Sequence, residues 1–217
     1  MNSFFQKAWL ITNFSPDTIV TGYQTIKEND LIIAVDGGYR KCMELNLTPQ
    51  LLIGDLDSIE PALLAEIPSS CQRIVYPREK DETDTQLALQ YCIKENIPEV
   101  IICNGLTGRF DHSLALIQNL LQAHQNGIKA MIVSQTQIIT ILDETNIMEY
   151  PVNTILSLIS LSERTEFVSS RGLAYPLDNV TLYNWQSKGI SNTISEPTQY
   201  IKLSSGTVLA VITPVLF

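Results

Sequence analysis

The chain has few of the side chains on which enzymes most often rely. Two histidines, His112 and His124, occur in 217 residues, and neither belongs to a Ser-His-Asp or Cys-His pattern. Hydrolysis through a covalent acyl intermediate therefore has no support. The four cysteines, Cys42, Cys71, Cys92 and Cys103, are scattered among apolar neighbours with no Cys-x-x-Cys pair. They give no zinc or dithiol site and read as small buried hydrophobes of a reducing compartment. Basic residues are short as well: 14 Lys and Arg face 23 Asp and Glu, a net charge of −9. Nothing here could neutralise a run of phosphates, so a nucleic-acid partner is not expected. A single nucleotide stays open, because a metal can screen its charge locally. No Gly-x-x-x-x-Gly-Lys-Ser/Thr loop is present, which excludes a P-loop enzyme. No apolar run approaches a membrane span, and the opening MNSFFQKAWLITNF lacks the pattern of a signal peptide. The expectation is a cytoplasmic protein with no membrane partner.

What the chain does have is a regular alternation. Short apolar runs at Ala8–Thr12, Leu31–Gly38, Leu51–Asp55, Arg73–Tyr76, Glu99–Gly105 and Ala130–Ser134 read as strands. Runs apolar throughout fit strands covered on both faces. Between them, Thr83–Asn96 and Phe110–Asn126 have helical spacing, with Leu87 and Tyr91, and Leu114, Ile117 and Leu121, on one side. This predicts a parallel sheet with helices on both faces. After about Gln135 short strands follow one another, from QIITIL to TVLAVITPV, with no convincing helix. That pattern predicts an antiparallel sandwich or barrel. The expected fold is thus α/β, with an N-terminal domain at 1–135 and an antiparallel β-domain at 136–217.

The second strand runs into Asp36-Gly37-Gly38 and the third into Gly54-Asp55-Leu56-Asp57-Ser58. The fourth leads to REKDETDTQ (Arg78–Gln86) and the fifth to NGLTGRFDH (Asn104–His112). Open parallel sheets bind ligands at the carboxyl ends of their strands. Each loop also has a plainer reading. Asp-Gly-Gly is a common turn, Thr83 and Asp84 could simply cap a helix, and Asn104–Asp111 could be a tight loop. Arg109, just ahead of a helix N-terminus, suits an anion site. In a continued strand Asp55 and Asp57 would share a face, and two carboxylates so placed repel unless water or a cation relieves them. Four such loops on one edge make a single site the better explanation. Hard oxygen ligands without histidine or cysteine suit Mg²⁺, which usually keeps one or two carboxylates together with substrate phosphates.

In order and spacing, Asp36-Gly37-Gly38, Gly54–Ser58, Lys80-Asp81-Glu82-Thr83-Asp84 and Gly105–His112 resemble the thiamine pyrophosphokinase (thiamine diphosphokinase) family. Gly172–Leu177 (GLAYPL), Thr181-Leu182 and Ile190–Asn192 are similar to its second domain, so the resemblance spans nearly the whole chain. It implies a Rossmann-like nucleotide-binding domain followed by a β-sandwich, in a homodimer with active sites at the subunit interface. It also implies transfer of the terminal diphosphate of ATP to the hydroxyethyl oxygen of thiamine, giving thiamine diphosphate and AMP. By the same resemblance Asp55, Asp57 and Asp84 would hold Mg²⁺, and Arg109 and Lys80 would meet phosphate oxygens. Asp36, Gly37, Thr83, Asn104, Gly105 and Asp111 would shape the nucleotide site, with Asp84 and Asp111 as candidates to accept the alcohol proton. Tyr175, Ser191 and Asn192 would bind thiamine, although Tyr175 also fits sandwich core and Ser191-Asn192 a turn. Trp185 departs from the family pattern, which has a small residue there; it could stack on a ring or cover the sheet. Alternatives are a diphosphokinase for another alcohol such as a pterin, a metal-dependent phosphohydrolase, and a non-catalytic nucleotide or thiamine sensor.

Overall fold

The computed structural model describes residues 5–18 and 25–214. Two compact units divide the chain, Met1–Gln135 and Thr136–Phe217. In the first, strands β1 (Lys7–Ile11), β2 (Leu31–Val35), β3 (Leu51–Gly54), β4 (Gln72–Val75), β5 (Glu99–Cys103) and β6 (Lys129–Val133) are all parallel. Their order is β6-β5-β1-β2-β3-β4. The four middle strands are buried almost throughout, which is why their sequences are apolar without alternation. β4 lies at the edge and exposes Gln72, Arg73 and Val75.

Four helices complete this unit: α1 (Gly38–Glu44), α2 (Pro61–Glu66), α3 (Asp84–Lys94) and α4 (Phe110–Gln125). The last two match the periodic segments. The first two, of 7 and 6 residues, are too short to show a period in sequence. Tyr39 and Cys42 of α1 join Trp9, Ile11, Ile32, Ala34, Leu52, Ile101 and Cys103 in one apolar cluster. α3 and α4 pack on each other and on the sheet but contribute nothing to that cluster, so helices cover both faces.

Successive strands step outward from β1 to β4, and the chain then returns to place β5 on the other side of β1. Strand order reverses there, and in open α/β sheets ligands bind beyond the carboxyl ends of the strands at such a point. The chain's topology thus marks the ligand position before any side chain is considered.

The second unit has two antiparallel sheets. One has the order β12 (Asn192–Thr193), β9 (Ile155–Ser160), β14 (Val208–Thr213), β7 (Ile138–Leu142). The other is ordered β11 (Thr181–Tyr183), β10 (Arg164–Arg171), β13 (Thr198–Ser205), β8 (Thr145–Glu149). Alternate residues are buried, as Leu156 and Leu158 in β9, Phe167 in β10 and Ile201 and Leu203 in β13. β8 escaped the sequence reading because none of its residues is fully buried: it is an edge strand with no apolar face to display. Among the described residues no helix is long and apolar enough to cross a membrane.

Candidate active site

The loops after β2 and β3 are locked together by close backbone approach. Asp36 has φ 47°, a left-handed conformation that aspartate tolerates better than most residues, and its N–H donates to Ile53 O over 2.8 Å. A Cβ on Gly54 would lie 2.9 Å from Asp36 Cβ, and one on Gly38 only 1.9 Å from Ile11 O. Glycine is therefore required at both positions for packing. The Asp-Gly-Gly sequence is both a turn and a means of bringing Asp36 onto the end of β3.

One oxygen each from Asp36, Asp55 and Asp84 lies within 4.8 Å of the others. Three loops supply them: Asp36 follows β2, Asp55 follows β3, and Asp84 opens α3 behind its N-cap Thr83. Thr83 Oγ1 accepts from Gln86 N over 3.2 Å, so the capping role holds for this residue. The structure thus gathers Asp55 and Asp84 and adds Asp36, which the sequence reading had set in the nucleotide site. Asp57 lies outside the group and pairs with Arg78 at 3.2 Å. The expectation that Asp55 and Asp57 share a face fails for a local reason. β3 ends at Gly54, and Leu56 adopts φ 64°, which breaks the two-residue alternation. The Asp57 N–H instead donates to Asp55 Oδ1 over 3.2 Å.

Lys80 answers the repulsion in the cluster. Its Nζ donates to Asp55 Oδ2 over 3.0 Å and lies 3.1 Å from Asp84 Oδ1. Burial alone would raise the Asp55 pKa, but hydrogen bonds from Lys80 and the Asp57 N–H outweigh it and hold this carboxyl below its usual range. For Asp84 burial wins: its pKa is raised, Lys80 offsets only part of the shift, and Asp36 and Asp55 add to it. Asp36 Oδ1 is buried without a hydrogen-bond donor among the described residues, whereas Asp84 Oδ1 has the Lys80 ammonium beside it. A buried acceptor without a donor calls for a partner.

Beside the cluster opens a cavity of about 340 Å³, lined by the end of β1 (Thr12, Asn13, Phe14), by Asp36 and Gly37, and by Asn104 and Thr107 after β5. Thr83, Asp84 and Thr85 at the start of α3, and Arg109, His112 and Ser113 at the start of α4, close its walls. Two helix N-termini therefore face one space, a setting that favours an anion. Asn104 is 8% exposed; its side chain donates to Thr12 Oγ1 over 3.0 Å and accepts from Leu106 N over 2.8 Å. It ties the ends of β1 and β5 together. Gly105 N donates to Phe14 O in the same tie. Thr12, Asn13 and Phe14 were not anticipated, and Ser58 was given no role beyond ending the Gly-Asp-x-Asp-Ser stretch; the loop after β1 is visible as the end of the first strand, and only the strand order marks it as important.

Arg109 is the N-cap of α4, and its exposed guanidinium makes two hydrogen bonds to Asp111, Nε to Oδ1 and Nη2 to Oδ2. The Arg109 hydrogen bonds hold the Asp111 carboxyl below its usual range, and burial opposes this only weakly. The two candidate proton acceptors are thus shifted in opposite directions, Asp84 upward by burial and Asp111 downward by Arg109.

In the second unit Tyr175 is 68% exposed, while Asn192 is buried. Asn192 accepts from Tyr175 N over 3.1 Å and donates to Tyr175 O over 2.7 Å, so its amide is spent on holding the tyrosine's backbone. Ser191 has φ 60° and donates its N–H to Ser157 Oγ over 3.0 Å. Trp185 stacks on Tyr183 at a centroid distance of 4.6 Å. Tyr183 pairs with Arg164 at the start of β10, whereas Leu173, beyond its end, bridges to Ile194 next to Asn192. Trp185 and Tyr175 therefore belong to opposite ends of that strand.

Residues 23–132 match the family described as thiamin pyrophosphokinase, catalytic domain. The chain is 31% identical over 186 residues to thiamine pyrophosphokinase of Bacillus subtilis, spanning 84% of this chain and 85% of that one. It is 23% identical over 201 residues to thiamin pyrophosphokinase 1 of Caenorhabditis elegans, spanning 82% and 77%. The crystal structure of the Bacillus subtilis enzyme superposes with a TM-score of 0.84 at 26% identity, covering 97% of this chain and 99% of that one. That of Candida albicans shares the fold, with a TM-score of 0.77 at 19% identity over 98% of this chain and 90% of that one. The chain belongs to the thiamine pyrophosphokinase family.

Proposed function

We propose that the chain is a magnesium-dependent transferase moving the β,γ-diphosphate of ATP to the hydroxyethyl oxygen of thiamine, giving thiamine diphosphate and AMP. The observation that carries this reading is the meeting of Asp36, Asp55, Asp84 and Lys80 beside a cavity faced by two helix N-termini, in a chain of this family. The donor set fits Mg²⁺: every oxygen is a hard carboxylate, and Asp36 Oδ1 is buried without a donor among the described residues. Asp36, Asp55 and Asp84 would hold the ion, with Asp57 next to them. When bound, the ion supplies charge neutralisation at the phosphate oxygens.

The remaining work falls to the protein. N–H groups at the starts of α3 and α4 and the Arg109 and Lys80 cations bind and orient the polyphosphate, which is most of what diphosphate transfer needs. Asn104 and Gly105 tie the β1 and β5 loops together as the floor of the nucleotide site. Asp84 and Asp111 are the candidates to accept the alcohol proton. In this reading unit 1–135 is a Rossmann-like nucleotide domain and unit 136–217 a thiamine-binding sandwich that presents Tyr175, Ser191 and Asn192. The functional species is a cytoplasmic homodimer with sites at the subunit interface, and a light-scattering mass of one subunit would remove that part.

The test is an assay with ATP, Mg²⁺ and thiamine in which the nucleotide products are resolved. AMP formed only when thiamine is present supports the reading. Thiamine-independent phosphate release would point to a hydrolase, turnover with a pterin alcohol instead to another acceptor, and tight binding without turnover to a sensor. Asp55→Asn should lower kcat by about a hundredfold or more, the loss typical of removing a main electrostatic contributor.

A further inference from the structure

The acidic cluster holds a cation from the chain itself. Lys80 Nζ sits between Asp55 Oδ2 at 3.0 Å and Asp84 Oδ1 at 3.1 Å, on a side chain only 12% exposed. We propose that Lys80 is a placeholder: its ammonium takes the position between Asp55 and Asp84 that a divalent ion needs, ion and ammonium compete for it, and the displaced Lys80 turns to the phosphates. The proposal rests on reading the cluster as a metal site.

Three carboxylate oxygens within 4.8 Å of one another repel and would draw a proton into the cluster unless a positive charge stands among them. Lys80 is that charge, and no other lysine or arginine of the described residues pairs with Asp55 or Asp84.

Mg²⁺ takes oxygen ligands at about 2.0–2.1 Å. An ion so close to Asp55 Oδ2 and Asp84 Oδ1 would share the space of the ammonium, and the two positive centres would repel strongly at that separation. One must leave. Lysine suits the part, being a compact charge on a flexible four-carbon stem. Lys80 precedes α3 in a loop, so side-chain rotation is enough to release it. Arg78, on exposed Asp57, has no such position.

This has a consequence for binding order. The ion alone must break two ion contacts and leave Lys80 without a partner. An ion arriving with a polyphosphate brings new partners for the ammonium. Lys80 therefore weakens the site for free metal and couples metal binding to the nucleotide.

The test uses Mn²⁺ alone, titrated by the electron paramagnetic resonance signal of the free ion, on the full chain. Lys80→Gln should bind Mn²⁺ about tenfold or more tightly than the unmodified chain, while Lys80→Arg, which keeps the charge, should not. Adding a non-hydrolysable ATP analogue should tighten Mn²⁺ binding to the unmodified chain and do so much less for Lys80→Gln. Equal or weaker Mn²⁺ binding by Lys80→Gln overturns the proposal, as does a failure of both proteins to bind Mn²⁺ measurably. Asp55→Asn separates the two levels: if it binds Mn²⁺ as the unmodified chain does, the metal site itself is misplaced. Should Lys80→Gln unfold in chelator, the competition predicts that Mn²⁺ restores its melting temperature, and no restoration counts against it.

Discussion

Ser58 donates its hydroxyl to Asp36 Oδ2 over 2.6 Å and leaves the other oxygen, Oδ1, buried with no hydrogen-bond partner among the described residues. The side chain that continues the Gly-Asp-x-Asp stretch after β3 thus fixes the carboxylate that follows β2. Asp36 can enter the acidic group with one oxygen because Ser58 holds the other.

From this bond follows a prediction. Ser58→Ala should raise the apparent KM for Mg²⁺ by about tenfold, in line with losing a hydrogen bond to a charged group. Because Ser58 is exposed, the melting temperature should hardly move. Ser58→Thr, which keeps the hydroxyl, should recover part of the effect. Steady-state kinetics across Mg²⁺ concentrations decide it, and an unchanged Mg²⁺ dependence would count against the role of Asp36.

Arg109 and Asp111 separate a phosphate contact from a proton acceptor. If Arg109 meets phosphate oxygens, Arg109→Ala should reduce kcat/KM for ATP by about a hundredfold. Asp111→Asn should retain activity within about tenfold, since its carboxylate is bound to Arg109 and weakened as a base. A collapse of kcat in Asp111→Asn, with ATP binding intact, would restore Asp111 as the acceptor.

The sequence disclosed the parallel sheet well, because strands buried on both faces write themselves as unbroken apolar runs such as LIIAV and EVIIC. Asp55 and Asp84 were legible as carboxylates at strand and helix ends. The partnership of Asp36 with them was not, because it depends on a positive φ at Asp36 and on the approach of the Gly54 backbone, neither of which has a sequence period. The same holds for Asp57, which turns away because Leu56 enters the left-handed region. Short α1 and half-exposed β8 were missed for want of a buried face long enough to repeat.

Gly38 offers a test of the packing beneath the site. A Cβ there would meet backbone, Ile11 O, at 1.9 Å, and neither side can rotate away. Gly38→Ala should therefore destabilise the protein by about 3 kcal/mol, measured by chemical denaturation, through overpacking at a buried position. A loss within a few tenths of a kcal/mol would show that α1 can lift from β1.

Tyr175 and Asn192 should respond differently to truncation. The tyrosine ring is exposed, so Tyr175→Ala should leave stability nearly unchanged and raise KM for thiamine if the ring faces that cation. Asn192 is buried and spends both ends of its amide on the Tyr175 backbone. Asn192→Ala should raise the thiamine KM and also lower stability by about 1–3 kcal/mol, the range for leaving buried partners unpaired. Paired kinetics and denaturation curves distinguish the two. A thiamine KM that moves in neither variant would remove this surface from the site.

The four cysteines are buried, and their thiols are pushed upward by that burial, Cys42 and Cys92 from an ordinary 9.0 to about 12. At pH 8 the native protein then keeps those two thiols protonated, and the thiol is not the nucleophile. A thiol reagent should modify none of the four in the native chain within minutes and all of them after denaturation. The same shift links stability to pH. Between about 9 and about 12 the unfolded chain releases thiol protons that the native chain keeps, so it binds fewer of them and stability falls as pH rises. Below pH 9 the contribution is complete. Cys42→Ala with Cys92→Ala should flatten the alkaline loss of melting temperature between pH 9 and 11, whatever their effect at pH 7. Rapid native-state labelling at pH 8 would mean that one of these helices or strands opens far more readily than its packing implies.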